Sequence, residues 1–450
     1  MIPLEAAGLA GLAALGAFFA RRTPAYASAV GALGLFAAAG VALIVPWGQT
    51  LVVGQVVVTD APFVRAVIAA AAGSTALLCL IAAVLAPEVE LPIAAGVVVG
   101  GLAVALSLSD ASTAIVLGGA VGFLGLVGAR GAWSGAFRQL AFVPAVALLV
   151  VLVAGAKVIA GEAAVSDAAI VLGALLGVAF VARLASVPVH AAPLRLARGA
   201  SLPLVPLHAA LLPIAFVLPA LAWLAGSPVA AAFPGSWLQP VLVSIGGATI
   251  VLAALAMFVQ NDFGALIAVH TIGDLGLVLV GLGTGGAALP QIAVWLIGVA
   301  LIRMAMAGWA MIVAERSGSR TIRGSRGWVH LAPLSLPAFA VAVVVGVGWP
   351  GSLLFEARRQ ILEGAVPGTM GVILTAASIT TALGYVRVLW TGLRHAPEGQ
   401  RAVRFPWSWR LERWTASLLA IGIGLIPAAI AAGLTGLDSV AATWRPFAGP

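Results

Sequence analysis

The chain has 450 residues, of which 62% are hydrophobic and 8% charged, and its mean hydropathy is +1.15. Soluble domains carry about 25% charged residues, so this composition excludes a soluble enzyme or binding module and predicts an all-α polytopic membrane protein. The single cysteine, Cys79, excludes an internal disulfide or a Cys-ligated cluster, and the net charge of +8 sits in short loops between apolar runs, as topology signals do, rather than in a nucleic-acid-binding face.

Taken in chain order, the apolar runs predict fourteen spans, at residues 2–20, 26–45, 62–85, 91–108, 111–128, 139–159, 167–186, 201–224, 238–260, 263–282, 289–314, 331–349, 353–393 and 413–435. The opening MIPLEAAGLAGLAALGAFFA runs into Arg21 and Arg22 rather than a small-residue cleavage site, so it reads as the first span and not as a cleaved signal. The thirteenth run is too long for one helix and is broken around Gly364 to Gly368, where Pro367 cannot continue a helix. One integral membrane domain, 1–450, accounts for the chain. Residues 1–90 are N-terminal helices, 91–225 a first repeat, 238–393 a second, and 413–435 a last helix.

The basic residues orient these spans. Arg21 and Arg22 follow span one, Arg130 and Arg138 span five, Arg195 and Arg198 span seven, Arg316, Arg320, Arg323 and Arg326 span eleven, and Arg394, Arg401, Arg404, Arg410 and Arg413 span thirteen. Every one of these loops follows an odd span. The positive-inside rule then predicts a multi-pass protein of the cell (inner) membrane with basic loops in the cytoplasm and both termini outside. The longest polar stretches, 315–330 and 394–412, are short loops; the second interleaves Trp with Arg, as an interfacial belt on the lipid bilayer does.

A short list of ionisable residues remains at membrane depth: Arg183 in span seven, His208 in span eight, His270 and Asp274 in span ten, Arg303 in span eleven, and Glu356 and Arg358 after the Gly348-Trp349-Pro350-Gly351 break. His190 lies just beyond Arg183. Arg65, Lys157 and Arg387 stand near span ends, where long stems snorkel. Singly, a buried Arg or His ties helices together; on successive spans they form a polar file suited to protons or ions. Pro188, Pro203, Pro206, Pro213 and Pro219 in one half, with Pro350 and Pro367 in the other, predict two broken helices and an internally repeated, inverted architecture.

These residues form a pattern. Arg183 is followed five residues on by Pro188, and the Pro-rich LPLVPLHAA ends in His208-Ala209-Ala210. DFGALIAVHTIGDLG runs from Asp262 to Gly276, LIRMAM places Arg303 in the next span, and Gly348, Pro350, Phe355 and Arg358 keep a fixed spacing. Asp60 stands in VVVTDAP, before span three. In this the chain resembles the antiporter-like, proton-conducting membrane subunits of NADH–quinone oxidoreductase (respiratory complex I), Mrp-type cation/proton antiporters, energy-converting hydrogenases and some inorganic-carbon uptake complexes. The match covers most of the chain, best from about residue 180 to 390.

The buried ionisable residues and the resemblance together give an expected proton pathway through Arg183, His208, His270, Asp274, Arg303 and Arg358, with Asp60, His190 and Glu356 as accessory groups; the resemblance covers Arg183, His208, Arg303, Arg358 and Asp60 but does not supply the roles of His270 and Asp274. It implies other membrane subunits as partners and no cofactor, metal or nucleotide site in this chain, so at most a translocating subunit of an oxidoreductase-type complex. The departures are specific. Arg183, Arg303 and Arg358 stand where the family has Lys, in a chain with 22 Arg and one Lys. Lys can release its proton when buried, whereas Arg stays charged. The family's membrane Glu of the fifth span is missing from DASTAIVLGGAVGFLGLVGAR, where Gly119 or a neighbour occupies the site. Trp295 and Val299 stand where a family His occurs, and His270 and Asp274 replace family Ser and Gln. Two readings of the last pair follow: protonatable work moved to His270, Asp274 and His208 with arginines as fixed counter-charges, or a static Asp274–Arg303 pair in a non-conducting scaffold subunit. An autonomous secondary transporter is a third reading, disfavoured because the midplane offers charges but few Ser, Asn or Gln.

Overall fold

The computed structural model describes residues 2–44, 50–53, 56–59, 61–124, 165–225, 236–283, 289–366 and 368–395. Spans six and fourteen, Asp60, Lys157 and Pro367 lie outside them. In hydrocarbon every backbone group needs an internal partner, and these Ala-, Leu- and Val-rich runs accordingly coil into helices. In order they are α1 (Ile2–Phe19), α2 (Pro24–Ile44), α3 (Pro62–Leu85), α4 (Glu90–Ser107), α5 (Ala111–Leu124), α6 (Val165–Arg183), α7 (Ala191–Gly199) and α8 (Leu204–Pro206). A π-helical turn over Leu207–Leu211 joins α8 to α9 (Leu212–Ala225). Then follow α10 (Leu238–Met257), α11 (Phe263–Leu282), α12 (Leu289–Ser317), α13 (Trp328–Leu331), α14 (Ser335–Val347), α15 (Leu353–Ala365) and α16 (Thr369–Leu393). Nine spans among the described residues are long and apolar enough to cross a membrane. Among the described residues a two-stranded antiparallel pair, Thr50–Val53 with Val56–Thr59, lies in the connection after α2.

The connections pair by parity, as alternating spans require. The Ser28 hydroxyl donates to Glu88 O (2.7 Å), joining the start of span two to the end of span three. Arg320 donates to Ala197 O and Ala200 O, Ile322 N to Asn261 O, and Gly327 N to Thr391 O, joining the loops after spans seven, nine, eleven and thirteen. At the other end Val58 bridges Leu108, joining the loops after spans two and four. The predicted basic loops within the described residues therefore share one face.

Spans twelve and thirteen are regrouped. α14 and α15 have 13 residues each, about 20 Å of helix, too short to cross about 30 Å of hydrocarbon alone. They run antiparallel to α12 as one broken crossing. Phe339 meets Trp309, Gly346 meets Ile302 and Arg303, Leu354 meets Gly298, and Gln360 meets Gln291. The break at Gly348–Ser352 is therefore at mid-depth, not between spans. α15 ends at Ala365, and α16, which begins at Thr369 after Gly368, is the following crossing. Gly348 (φ +77°) and Gly351 (φ +90°) supply the left-handed backbone that an ordinary side chain resists, and Ser352 caps α15 by accepting from Phe355 N (3.2 Å).

Arg65 departs from the snorkelling expectation. It is buried and donates through Nε to Ala42 O (2.9 Å), a carbonyl near the C-terminus of α2. Arg387 instead donates to Phe258 O and Gln260 O beyond α10.

Candidate functional site

All 20 residues of α11 are buried, so the helix is walled by protein rather than lipid. Its N-terminus is fixed by Asp262, whose carboxylate accepts from Ala265 N (3.0 Å) and faces Arg320 (3.6 Å). Two turns in, His270 and Asp274 project one above the other, as residues four apart on a helix must. Nε2 of His270 is 3.7 Å from a carboxylate oxygen of Asp274.

Three neighbouring elements close around this pair. From α12, Arg303 donates to Asp274 through Nε (3.0 Å) and Nη2, and through Nη1 to the Met306 sulfur (3.0 Å). Trp295 on the same helix donates its indole N–H to Asp274 O (2.9 Å). From the broken crossing, Arg358 donates to Val347 O (2.6 Å) and Gly348 O (3.1 Å). Its positive charge thereby sits on the carbonyl end of α14, where the helix dipole favours a cation. From α16, Ser378 accepts from Arg358 Nη1 (3.3 Å), Thr381 meets Nε2 of His270 (3.2 Å), and the Tyr385 hydroxyl meets Nδ1 (2.8 Å).

The network assigns the imidazole tautomer. Thr381 spends its one hydroxyl proton on Ser378 O (2.6 Å), so toward His270 it accepts, and Nε2 carries a hydrogen. In the neutral ring Nδ1 then accepts from the Tyr385 hydroxyl. A continuous set of contacts thus runs from Arg358 through Ser378, Thr381, His270 and Asp274 to Arg303, with Tyr385 as a side branch.

The structure brings together four of the six expected pathway residues: His270, Asp274, Arg303 and Arg358. The other two, Arg183 and His208, are buried in the first half. Arg183 ends α6 before the irregular segment 184–190, where Val187 N donates to Thr249 Oγ1 (3.1 Å) midway along α10. His208 sits in the π-helical turn. Neither ring nitrogen of His208, nor Nε and Nη2 of Arg183, has a hydrogen-bond partner among the described residues, so His208 does not join the α11 network directly.

The accessory groups differ. His190 lies at the start of α7, and its Nδ1 has no partner among the described residues. Glu356 is directed away from the network and pairs with the exposed Arg359. Asp60 lies outside the described residues.

Gly118 of α5, next to Gly119, is buried against the backbone of Ala215 and Phe216 in α9. The two helices touch so closely that a side chain there has no room.

Sequence reading missed the α16 side of the cluster. Its signal was present: Ser378, Thr381 and Tyr385 are spaced three and four apart, one helical face, and Tyr385 is one of only two tyrosines.

Known proteins share stretches of this sequence and its fold. Among relatives, the chain is 27% identical over 214 residues to NADH-quinone oxidoreductase subunit N 1 of Streptomyces griseus, covering 45% of this chain and 44% of that one. It is 33% identical over 158 residues to NADH-ubiquinone oxidoreductase chain 4 of Mycosarcoma maydis, covering 32% and 31%. In both, less than half of the relative's length is matched. The fold is similar to chains of the Mrp complex from Dietzia sp. (TM-score 0.75, 20% identity, 100% of this chain and 52% of that chain) and of respiratory complex I from Thermus thermophilus with bound NADH (TM-score 0.72, 18% identity, 100% of both). Residues 111–384, more than half of the chain, match the family described as NADH:quinone oxidoreductase/Mrp antiporter, TM. The chain is a multi-pass membrane protein belonging to this family.

Proposed function

We propose that the chain is a proton-translocating, antiporter-like subunit of a larger membrane complex, working beside other membrane subunits in the cell membrane with its basic loops in the cytoplasm. The observation that carries this reading is the α11 cluster. Titratable and hydroxyl side chains are in hydrogen-bond or near contact beside a crossing that is broken at mid-depth. Buried ionisable groups at such breaks mark ion and proton routes.

The arrangement can move a proton without moving a helix. A proton reaching Nδ1 of His270 requires Tyr385 to turn its O–H away and accept instead. The imidazolium then releases the Nε2 proton toward Asp274 or Thr381. Arg303 and Arg358 stay charged throughout and act as fixed counter-charges that raise the cost of a lingering imidazolium. The family's Lys-based transfer is thereby relocated to groups that can titrate.

The test is proton flux in vesicles holding the full chain with its membrane partners. His270→Gln and Asp274→Asn are each expected to cut flux about a hundredfold or more, the low end of what one acid–base group contributes. Wild-type flux in both variants removes the reading.

A second reading is favoured by one observation, the two-pronged grip of Arg303 on Asp274. A carboxylate so held is a static brace, and the subunit would then be a scaffold. The same flux assay on the unmodified chain separates the two.

A further inference from the structure

Several buried polar side-chain atoms are unsatisfied among the described residues, and Glu88, Ser201, His208 and Arg183 are among the residues that carry them. Glu88 Oε1, Ser201 Oγ, both ring nitrogens of His208, and Nε and Nη2 of Arg183 are without hydrogen-bond partners among the described residues. A buried polar atom without a partner is costly, and the usual remedy is ordered water. Glu88 stands in the connection between α3 and α4, on the face shared by the basic loops, with its backbone pinned by Ser28. Ser201 opens the crossing that contains His208, seven residues or about 10 Å further along. Its hydroxyl pulls on the Glu88 carboxylate without closing a normal hydrogen bond to it. His208 in turn lies within electrostatic range of Arg183.

We infer that Glu88 is the proton-exchange carboxylate at the basic-loop mouth of the first half, passing protons through water lodged against Ser201 toward His208. The inference rests on the conduction reading above and adds the entry group to it. The step is proton transfer alone. Glu88 takes a proton from water at the face and gives it to the inner water, which passes one to an unpartnered nitrogen of His208. Only O–H and N–H bonds form and break.

Among the described residues, the ionisable groups that face Glu88 are Cys79 of α3, Glu90 at the start of α4 and Arg320 after α12, the last held by Asp262, Ala197 O and Ala200 O. Burial is the largest influence on the carboxyl and raises it to about 7. The Ser201 hydroxyl works against that rise, Glu90 adds to it, and Arg320 opposes it. A carboxyl poised there exchanges protons readily at neutral pH.

The experiment measures proton flux against pH, from 5 to 9, in vesicles containing the full chain and its membrane partners. The unmodified chain is expected to show an inflexion near pH 7. Glu88→Gln should lower flux about tenfold and abolish that inflexion, while Glu88→Asp should keep flux and move it. An unchanged profile in Glu88→Gln, with flux still lost in Asp274→Asn, overturns the role of Glu88 alone. Absence of flux in the unmodified chain overturns the conduction reading and this inference together. If Glu88→Gln fails to assemble, Glu88→Asp decides: a moved inflexion supports the assignment and an unmoved one overturns it.

Discussion

Tyr385 sets its hydroxyl 2.8 Å from Nδ1 of His270, across 115 residues of chain. With Thr381 already committed to Ser378 O, that hydroxyl is what a second proton on the ring must displace. Tyr385→Phe removes this gate and leaves the ring in place, because the aromatic contact with Phe339 survives. The stability cost is expected to be about 1 kcal/mol, that of one buried hydrogen bond. Proton flux is expected to change by about tenfold or more. Flux assays and thermal unfolding of the same purified variant check both parts, and equal flux in variant and parent counts against the gate.

Asp274 and Arg303 are both buried, so each is costly without the other. Removing one partner from such a pair destabilises by about 3–5 kcal/mol, whereas replacing both with apolar groups of similar size is often nearly neutral. Asp274→Asn and Arg303→Met are therefore each expected to lower the unfolding temperature sharply, and Asp274→Leu combined with Arg303→Met to recover most of the loss. A double-mutant cycle by thermal unfolding in detergent measures this. Additive losses would show that the two residues do not depend on one another.

The helices were legible because bilayer length and hydropathy leave little choice. The Asp274–Arg303 pairing was legible because two opposite charges on successive spans have few other partners. The join of α14 to α15 was not. Gly348-Trp349-Pro350-Gly351 reads equally as a loop between spans or a break within one, and only the antiparallel run of Phe339, Gly346, Leu354 and Gln360 along α12 distinguishes them. Arg65 was misread for a related reason: position near a span end suggests the headgroups, but the fold turns it inward onto Ala42 O. Ser378, Thr381 and Tyr385 were missed because hydroxyl residues carry little signal until a neighbour such as His270 is placed against them.

Glu88 makes stability depend on pH with a definite sign. Its carboxyl rises from 4.5 to about 7 on folding, chiefly through burial. A raised folded-state value means that the native state holds its proton more tightly than the unfolded state does. The contribution is therefore fully present below about pH 4.5 and is lost as pH rises to about 7. Its size is at most about 3 kcal/mol, since one unit corresponds to about 1.4 kcal/mol and partial exposure reduces it. Glu88→Gln is expected to flatten this part of the unfolding temperature's pH dependence. Parallel profiles for variant and parent would show that the carboxyl is not perturbed.

Gly348 closes α14 in the left-handed region at φ +77°, and the Arg358 guanidinium lies 3.1 Å from where a Cβ would stand. Gly348→Ala therefore meets two obstacles, a backbone conformation costing alanine about 1 kcal/mol or more and a collision with a charged group. The arginine has no easy retreat, because it is buried and bonded to Val347 O, Gly348 O and Ser378. The variant is expected to lose 2 kcal/mol or so of stability, a roughly additive sum of strain and a weakened charge-assisted hydrogen bond. Gly351→Ala is the control, since a Cβ there, at φ +90°, meets open space and carries the backbone cost alone. Unfolding temperatures of the two variants separate the terms. Equal losses would mean that Arg358 yields freely, and the break at mid-depth would then owe its form to backbone alone.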